Sequence, residues 1–169
     1  MARVQLRTWV RAAMLLALAL AVQSARMTQT VTGPLINAIL LLAGAYTGMA
    51  GGVLVGLITP WVALTMGIMR LAPAVPVIMA GNAVLVIVFV LIRNLVRSRW
   101  GDYLGAGLGA VAKYVTMTAG LTLLVAPRVR VPPPAMFALT TMQLYTALGG
   151  ALLAVLVIQT VSRTSGGRR

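Results

Sequence analysis

Acidic side chains are almost absent from this chain, which has 14 Lys and Arg residues but a single acid, Asp102. It also has no cysteine and no histidine. The lack of thiols excludes disulfides and thiolate chemistry, and the lack of imidazole removes the commonest transition-metal ligand. No Ser/His/Asp set, carboxylate pair or metal-binding cluster can be assembled from one acid. We therefore expect a protein that is not an enzyme and has no cofactor or bound metal.

Apolar residues dominate the chain instead. They make up 60% of the sequence, only 9% of residues are charged, and the mean hydropathy is +0.99. This composition is typical of an integral membrane protein. The basic residues are scattered between apolar runs rather than gathered on one face, which favours a lipid bilayer over nucleic acid as the partner.

The apolar runs predict an all-α fold, a single membrane domain over residues 1–169 formed by a six-transmembrane-helix bundle. At ~20 residues a span, the chain has room for about six spans and short loops. The approximate spans are 8–25, 33–47, 52–69, 76–92, 103–125 and 136–161. Gly48, Gly52 and Gly56 mark a tight inner turn that leads from the second span into the third. The first run also has the length of a signal peptide, so a cleaved signal remains the alternative to a retained span.

The basic residues indicate the orientation of these spans. The amino terminus, the loop 93–102 and the carboxyl tail hold nine arginines, whereas the opposite loops hold four. Those four are Arg26, Arg70, Arg128 and Arg130. The excess of positive charge predicts that both termini are cytoplasmic.

Polar side chains within the spans are concentrated toward the outer ends, which predicts a pocket open to the outside. The loop 22–37 at the mouth of this pocket is unusually polar. Lys113 lies near the middle of the fifth span, about three helical turns from Asp102 and therefore out of its reach. An anionic ligand group is one possible partner for this ammonium, and snorkelling, carbonyl acceptors or a neutral amine are the alternatives. For Asn82 and Gln143, hydrogen bonds between helices are equally compatible with the pattern. The candidate substrate-binding residues are Gln23, Arg26, Gln29, Asn37, Asn82, Lys113, Tyr114, Gln143 and Tyr145.

Three features of the chain resemble a known family. They are an alanine ridge at Ala13, Ala17 and Ala21, the segment TGPLINAILLLAGAYTGMAGGVLVGLITP at 32–60, and the segment MQLYTALGGALLAVL at 142–156. Together with six short spans, they resemble the substrate-binding S components of energy-coupling-factor (ECF) vitamin transporters whose substrate is unassigned.

This resemblance implies a multi-pass protein of a prokaryotic plasma membrane that captures a small water-soluble vitamin or precursor with an anionic or polar group. The alanine ridge would dock on a transmembrane coupling subunit driven by two cytoplasmic ATPases, and the loop between the first two helices would gate the pocket. The chain departs from the nickel and cobalt members by lacking histidine, and it has no aromatic-rich signature of the thiamine or riboflavin type. A non-catalytic membrane scaffold is the alternative function, and an autonomous secondary carrier is disfavoured by the shortage of acids.

Overall fold

The computed structural model describes residues 2–69 and 71–166, and these ranges are helical with no β-strand. Arg70, Arg168 and Arg169, which entered the charge count, lie outside the described residues. The helices are α1 (Ala2–Ser24), α2 (Gln29–Thr65), α3 (Val75–Leu95), α4 (Arg99–Gly120), α5 (Pro133–Leu139) and α6 (Thr141–Gly166). A 3-10 turn (Ala72–Ala74) precedes α3, and a π-helical turn (Leu121–Val125) follows α4.

Within the described residues, five helical segments are long and apolar enough to cross a membrane. They are Gln5–Ser24, Gln29–Thr65, Ala72–Leu95, Arg99–Val125 and Pro133–Thr164. The predicted all-α membrane fold class is thereby confirmed. The predicted sixth span, 136–161, is divided in the structure at Thr140, where the backbone leaves the helical region (φ −118°, ψ −88°) between α5 and α6.

The longest helix, α2, folds back on itself at Gly48. This residue has φ 78° and ψ −178°, a conformation that glycine adopts readily and other residues adopt only with strain. A Cβ placed on Gly52 would lie only 2.7 Å from the backbone nitrogen of Gly44. In a straight helix these two residues would be separated by about 12 Å along the axis. The two ends of α2 therefore lie at the same end of the molecule.

Helices α3 and α4 pack with their backbones in close approach. A Cβ on Gly105 would lie 2.8 Å from the carbonyl oxygen of Phe89, and a Cβ on Gly109 would lie 2.8 Å from that of Leu85. The two glycines are one turn apart on α4, so they form one small-residue face against α3. This close packing fixes the register of α4 relative to α3, and with it the depth of Lys113.

Two apolar clusters of described residues hold the bundle together. The larger one joins α2, α3 and α6 through buried side chains that include Leu41, Phe89 and Val155. The smaller one lies where α3 begins and α4 ends, and includes Ile78 and Met117. Helix α1 packs chiefly against α2, and its opposite face is not covered by the other described helices.

Candidate functional site

A cavity of about 200 Å³ lies at the end of the bundle where α1 ends, α2 both begins and ends, and α3 and α6 begin. Its polar and small lining residues are Gln23, Gln29, Thr32, Gly33, Asn37, Thr59, Asn82, Lys113 and Gln143. Its apolar lining consists of Ile36, Pro60, Ala63, Ile68, Met69, Ile78, Ala138 and Leu139. Because the two ends of α2 meet here, the fold-back at Gly48 is what builds the cavity.

Lys113 is the centre of the polar lining. Its Nζ donates hydrogen bonds to Asn37 Oδ1 at 2.6 Å and to Asn82 Oδ1 at 2.7 Å. All three side chains are buried, with Lys113 2%, Asn37 1% and Asn82 3% exposed. Because charge-assisted hydrogen bonds are the stronger ones, this network ties α4 to α2 and α3. Carbonyl acceptors were one of the partners considered for Lys113 from its sequence position, and in the structure they belong to side-chain amides.

Close packing of glycines positions the two asparagines. Asn82 lies over Gly56, where an added Cβ would be 3.1 Å from the Asn82 Cβ, and its Nδ2 donates to the Gly56 carbonyl at 3.0 Å. Asn37 lies against Gly150 of α6, where an added Cβ would be 2.6 Å from the Asn37 Cβ. A larger residue at either glycine would displace an acceptor from Lys113.

The one acid lies at the opposite end of the bundle and is paired there. Asp102 Oδ1 is 2.8 Å from Arg93 Nε, and Asp102 Oδ2 accepts a hydrogen bond from Gln159 Nε2 at 2.8 Å. Arg93 also donates to the carbonyl of Ala45 at 3.2 Å. Lys113 and Asp102 do not pair, in agreement with their spacing along α4. The ammonium of Lys113 is therefore surrounded by neutral acceptors.

Six of the nine residues proposed from the sequence line the cavity. They are Gln23, Gln29, Asn37, Asn82, Lys113 and Gln143. The other three do not: two are turned away by helical geometry and one lies on a loop. Tyr114 follows Lys113, and Tyr145 lies two residues after Gln143, so rotations of about 100° and 200° turn them onto other faces. Tyr145 is 64% exposed on the outer surface of the bundle. Arg26 lies on the loop above and donates to the carbonyl of Met66 at 3.4 Å.

Several lining residues were missed from the sequence. Thr59 is fully buried in the cavity wall, and its position beside Pro60 in an apolar run was the available signal. The apolar lining residues gave no such signal, because they resemble every other aliphatic residue in the spans. Outside the cavity, the sequence analysis also missed Gln159, which donates a hydrogen bond to Asp102. It is one of the few polar side chains toward the carboxyl end of α6.

The lining gives the cavity one chemical capability, which is to hold a small molecule by hydrogen bonds and a single positive charge. Among the described residues that line it, Lys113 is the only charged one. The amide groups of Gln143 and Asn37 add donors and acceptors without adding charge.

Comparison with known proteins identifies a family for the chain. The family model for the ECF transporter substrate-specific component matches residues 7–162. No curated protein and no solved structure matches the chain. Because the family model covers nearly the whole sequence, the chain belongs to the family of ECF transporter substrate-specific components, and it is a membrane protein of a transport system.

Proposed function

We propose that this substrate-specific component captures a small water-soluble vitamin or precursor in the cavity around Lys113. It then delivers the ligand through a transmembrane coupling subunit driven by two cytoplasmic ATPases, and has no catalytic role itself. The observation that carries this proposal is the buried polar network at one end of a protein of this family. A pure scaffold needs no such cavity, and apolar packing would fill it at lower cost.

The topology proposed for this function has six crossings, with both termini cytoplasmic. Two crossings come from the halves of α2 on either side of Gly48, since α2 returns to its starting end. The arginine excess at the amino terminus, the loop 93–102 and the carboxyl tail supports this orientation. The cavity then faces the outside of a prokaryotic plasma membrane, and α1 is a retained span that packs on α2 through Ala12 and Ala19.

The exposed face of α1 is the proposed docking surface for the coupling subunit. Ala13, Ala17 and Ala21 recur every four residues and are all exposed, on the side of α1 away from α2. Small side chains at this spacing allow the backbone of another helix to approach closely. The contacts of α1 within the chain therefore leave the alanine ridge free for a partner.

The loop between α1 and α2 is the proposed gate. Arg26 in this loop has φ 49°, an uncommon conformation for a residue other than glycine. Its guanidinium contacts the carbonyl of Met66 in the loop that follows α2, while Gln23 and Gln29 line the cavity on either side. Movement of these two loops apart would open the cavity, and the contact between Arg26 and Met66 would close it.

Docking and capture can be tested separately. Ala17→Leu places a bulky side chain on the ridge, so we expect loss of copurification with the coupling subunit and loss of uptake. The cavity is untouched, so native mass spectrometry of the purified variant should still detect bound ligand. Ala119→Leu, at an exposed alanine of α4, is the matched control and should retain both properties. Loss of ligand binding together with uptake in Ala17→Leu would mean that the ridge serves internal packing.

A further inference from the structure

We infer that the ligand is a small monocarboxylate with an aliphatic body, bound with its carboxylate against Lys113 and its other end toward Gln23. This inference rests on the proposed function, and it specifies the charge of the ligand, its direction in the cavity and the polarity of its far end.

The cavity has a positive charge without a countercharge among its described lining residues. Lys113 is buried, and its two acceptors, Asn37 and Asn82, are neutral amides. Asp102, the one acid of the chain, is held by Arg93 and Gln159 at the other end of the bundle. A buried ammonium is costly without an opposite charge, so a ligand that brings one negative charge gains the most from this site. One ammonium matches a monoanion better than a dianion such as a phosphate monoester.

Several hydrogen-bond donors around Lys113 are unused. Its ammonium has three N–H groups, and the two asparagines use two of them. Asn37 presents its Oδ1 to Lys113, so its Nδ2 points elsewhere and has no acceptor among the described residues. The side-chain amide of Gln143, only 7% exposed, also has no partner in the described part of the chain. Donors therefore exceed acceptors at this end, which suits the two oxygens of a carboxylate.

The remaining wall of the cavity is small and aliphatic. Ile36, Ile78 and Leu139 are aliphatic, and the described lining contains no aromatic side chain on which a planar ring could stack. The volume of about 200 Å³ lies below the ~300 to 1,000 Å³ of pockets for drug-sized ligands. Burial of aliphatic surface against this wall gives affinity without requiring a particular orientation, and the polar ends then fix the direction.

The end of the cavity under the gate has a buried acceptor without a donor. Gln23 Oε1 is buried and receives no hydrogen bond from any described residue. Gln23 lies in the last turn of α1, whereas Lys113 lies about two turns before the end of α4. A buried acceptor without a donor is unfavourable, so a ligand with a hydroxyl or amide N–H at this end would satisfy it. Carboxylate and donor are thus assigned to opposite ends of the same molecule.

The test uses four probes with the same six-carbon chain: hexanoate, hexanamide, hexylamine and 6-hydroxyhexanoate. Binding to the full chain in detergent is measured by isothermal titration calorimetry. We expect hexanoate to bind at least about tenfold more tightly than hexanamide, because charge-assisted hydrogen bonds are the stronger ones. Hexylamine should bind most weakly, and 6-hydroxyhexanoate should bind more tightly than hexanoate.

A substitution of nearly identical shape tests the charge argument in the protein itself. Asn37→Asp supplies a carboxylate 2.6 Å from Lys113 Nζ, so the chain provides the countercharge that the ligand would otherwise bring. We expect the preference for hexanoate over hexanamide to disappear, because the carboxylate of hexanoate no longer finds an unpaired charge. Asn94→Asp makes the same charge change at an exposed position of α3 and should keep the full preference.

The outcomes separate this inference from the proposed function. Equal binding of hexanoate and hexanamide, or no binding of any probe, would overturn the monocarboxylate assignment even if uptake still depends on Ala17. Loss of the acid preference in both aspartate variants would also overturn it, since the effect would then reflect net charge rather than Lys113. If Asn37→Asp fails to fold, the four probes on the unmodified chain decide the matter.

Discussion

Removing one acceptor of Lys113 is expected to destabilise the empty protein only while the lysine is present. Asn37→Leu is similar in size but leaves the ammonium with Asn82 as its one remaining acceptor among the described residues. A hydrogen bond to a charged group contributes roughly 1.5 to 3 kcal/mol, so we expect this loss of unfolding free energy from the single substitution.

The same substitution should have the opposite tendency in a chain that already carries Lys113→Met. There the Oδ1 atoms of Asn37 and Asn82 are buried without a donor, at a cost of roughly 1 to 3 kcal/mol each. Replacing Asn37 by Leu removes one of these unsatisfied acceptors. The coupling energy between the two substitutions should therefore be at least about 1.5 kcal/mol, well above the ~0.5 kcal/mol within which independent sites add. The stability of Lys113→Met alone is a weaker test, because relief of the buried charge offsets the lost hydrogen bonds.

The assay is equilibrium unfolding by SDS in mixed micelles without ligand, followed by far-ultraviolet circular dichroism on the four proteins of the cycle. Lys113→Met combined with Gln159→Leu is the control, since Gln159 contacts Asp102 at the other end of the bundle. That pair should be additive. Additivity of Lys113→Met with Asn37→Leu as well would refute the argument that the amide oxygen stabilises the buried ammonium.

Three further substitutions test the frame around the site by the same unfolding assay. Gly48→Ala should lower the free energy of unfolding by about 1 to 3 kcal/mol through its positive φ alone, since no atom lies within 4 Å of the added Cβ. The helical control Gly107→Ala should not be destabilised. Equal effects of the two substitutions would contradict a backbone cause. Gly109→Ala should lower the free energy of unfolding by about 1 to 3 kcal/mol through overpacking against the Leu85 carbonyl. An unchanged unfolding midpoint would mean that α3 and α4 can separate at no cost. Asp102→Asn should destabilise by about 1 kcal/mol at low salt, because partly exposed Arg93 loses its countercharge, and the loss should shrink as salt screens the pair.

The sequence predicted the fold class and the polar end of the bundle because both depend on composition along the chain. Apolar runs separated by basic loops are sufficient for an all-helical membrane protein. The glycine-rich stretch predicted a turn after the second span, and the backbone breaks at Gly48 because a positive φ there carries little cost only for glycine.

The partners of Lys113 could not be predicted in the same way. Asn37, Asn82 and Lys113 lie on three different helices, and the length of the lysine side chain lets its ammonium reach both amides. Which faces meet depends on the rotation of each helix, which the close contacts at Gly56, Gly105 and Gly150 set. The position of Tyr114 could not be predicted for the same reason, since it is adjacent to Lys113 in sequence but points to another face of α4.

The scarcity of acids, visible in the sequence from the start, has a consequence at the site that only the structure brings out. A carboxylate beside Lys113 would neutralise the ammonium permanently and leave no reason for an anion to enter. Two amides instead hold the side chain in place while leaving its charge and one N–H unused. Asp102 cannot take that role, because Arg93 and Gln159 hold it at the far end of α4. In the proposed function, the negative charge that completes the cavity therefore arrives with the ligand.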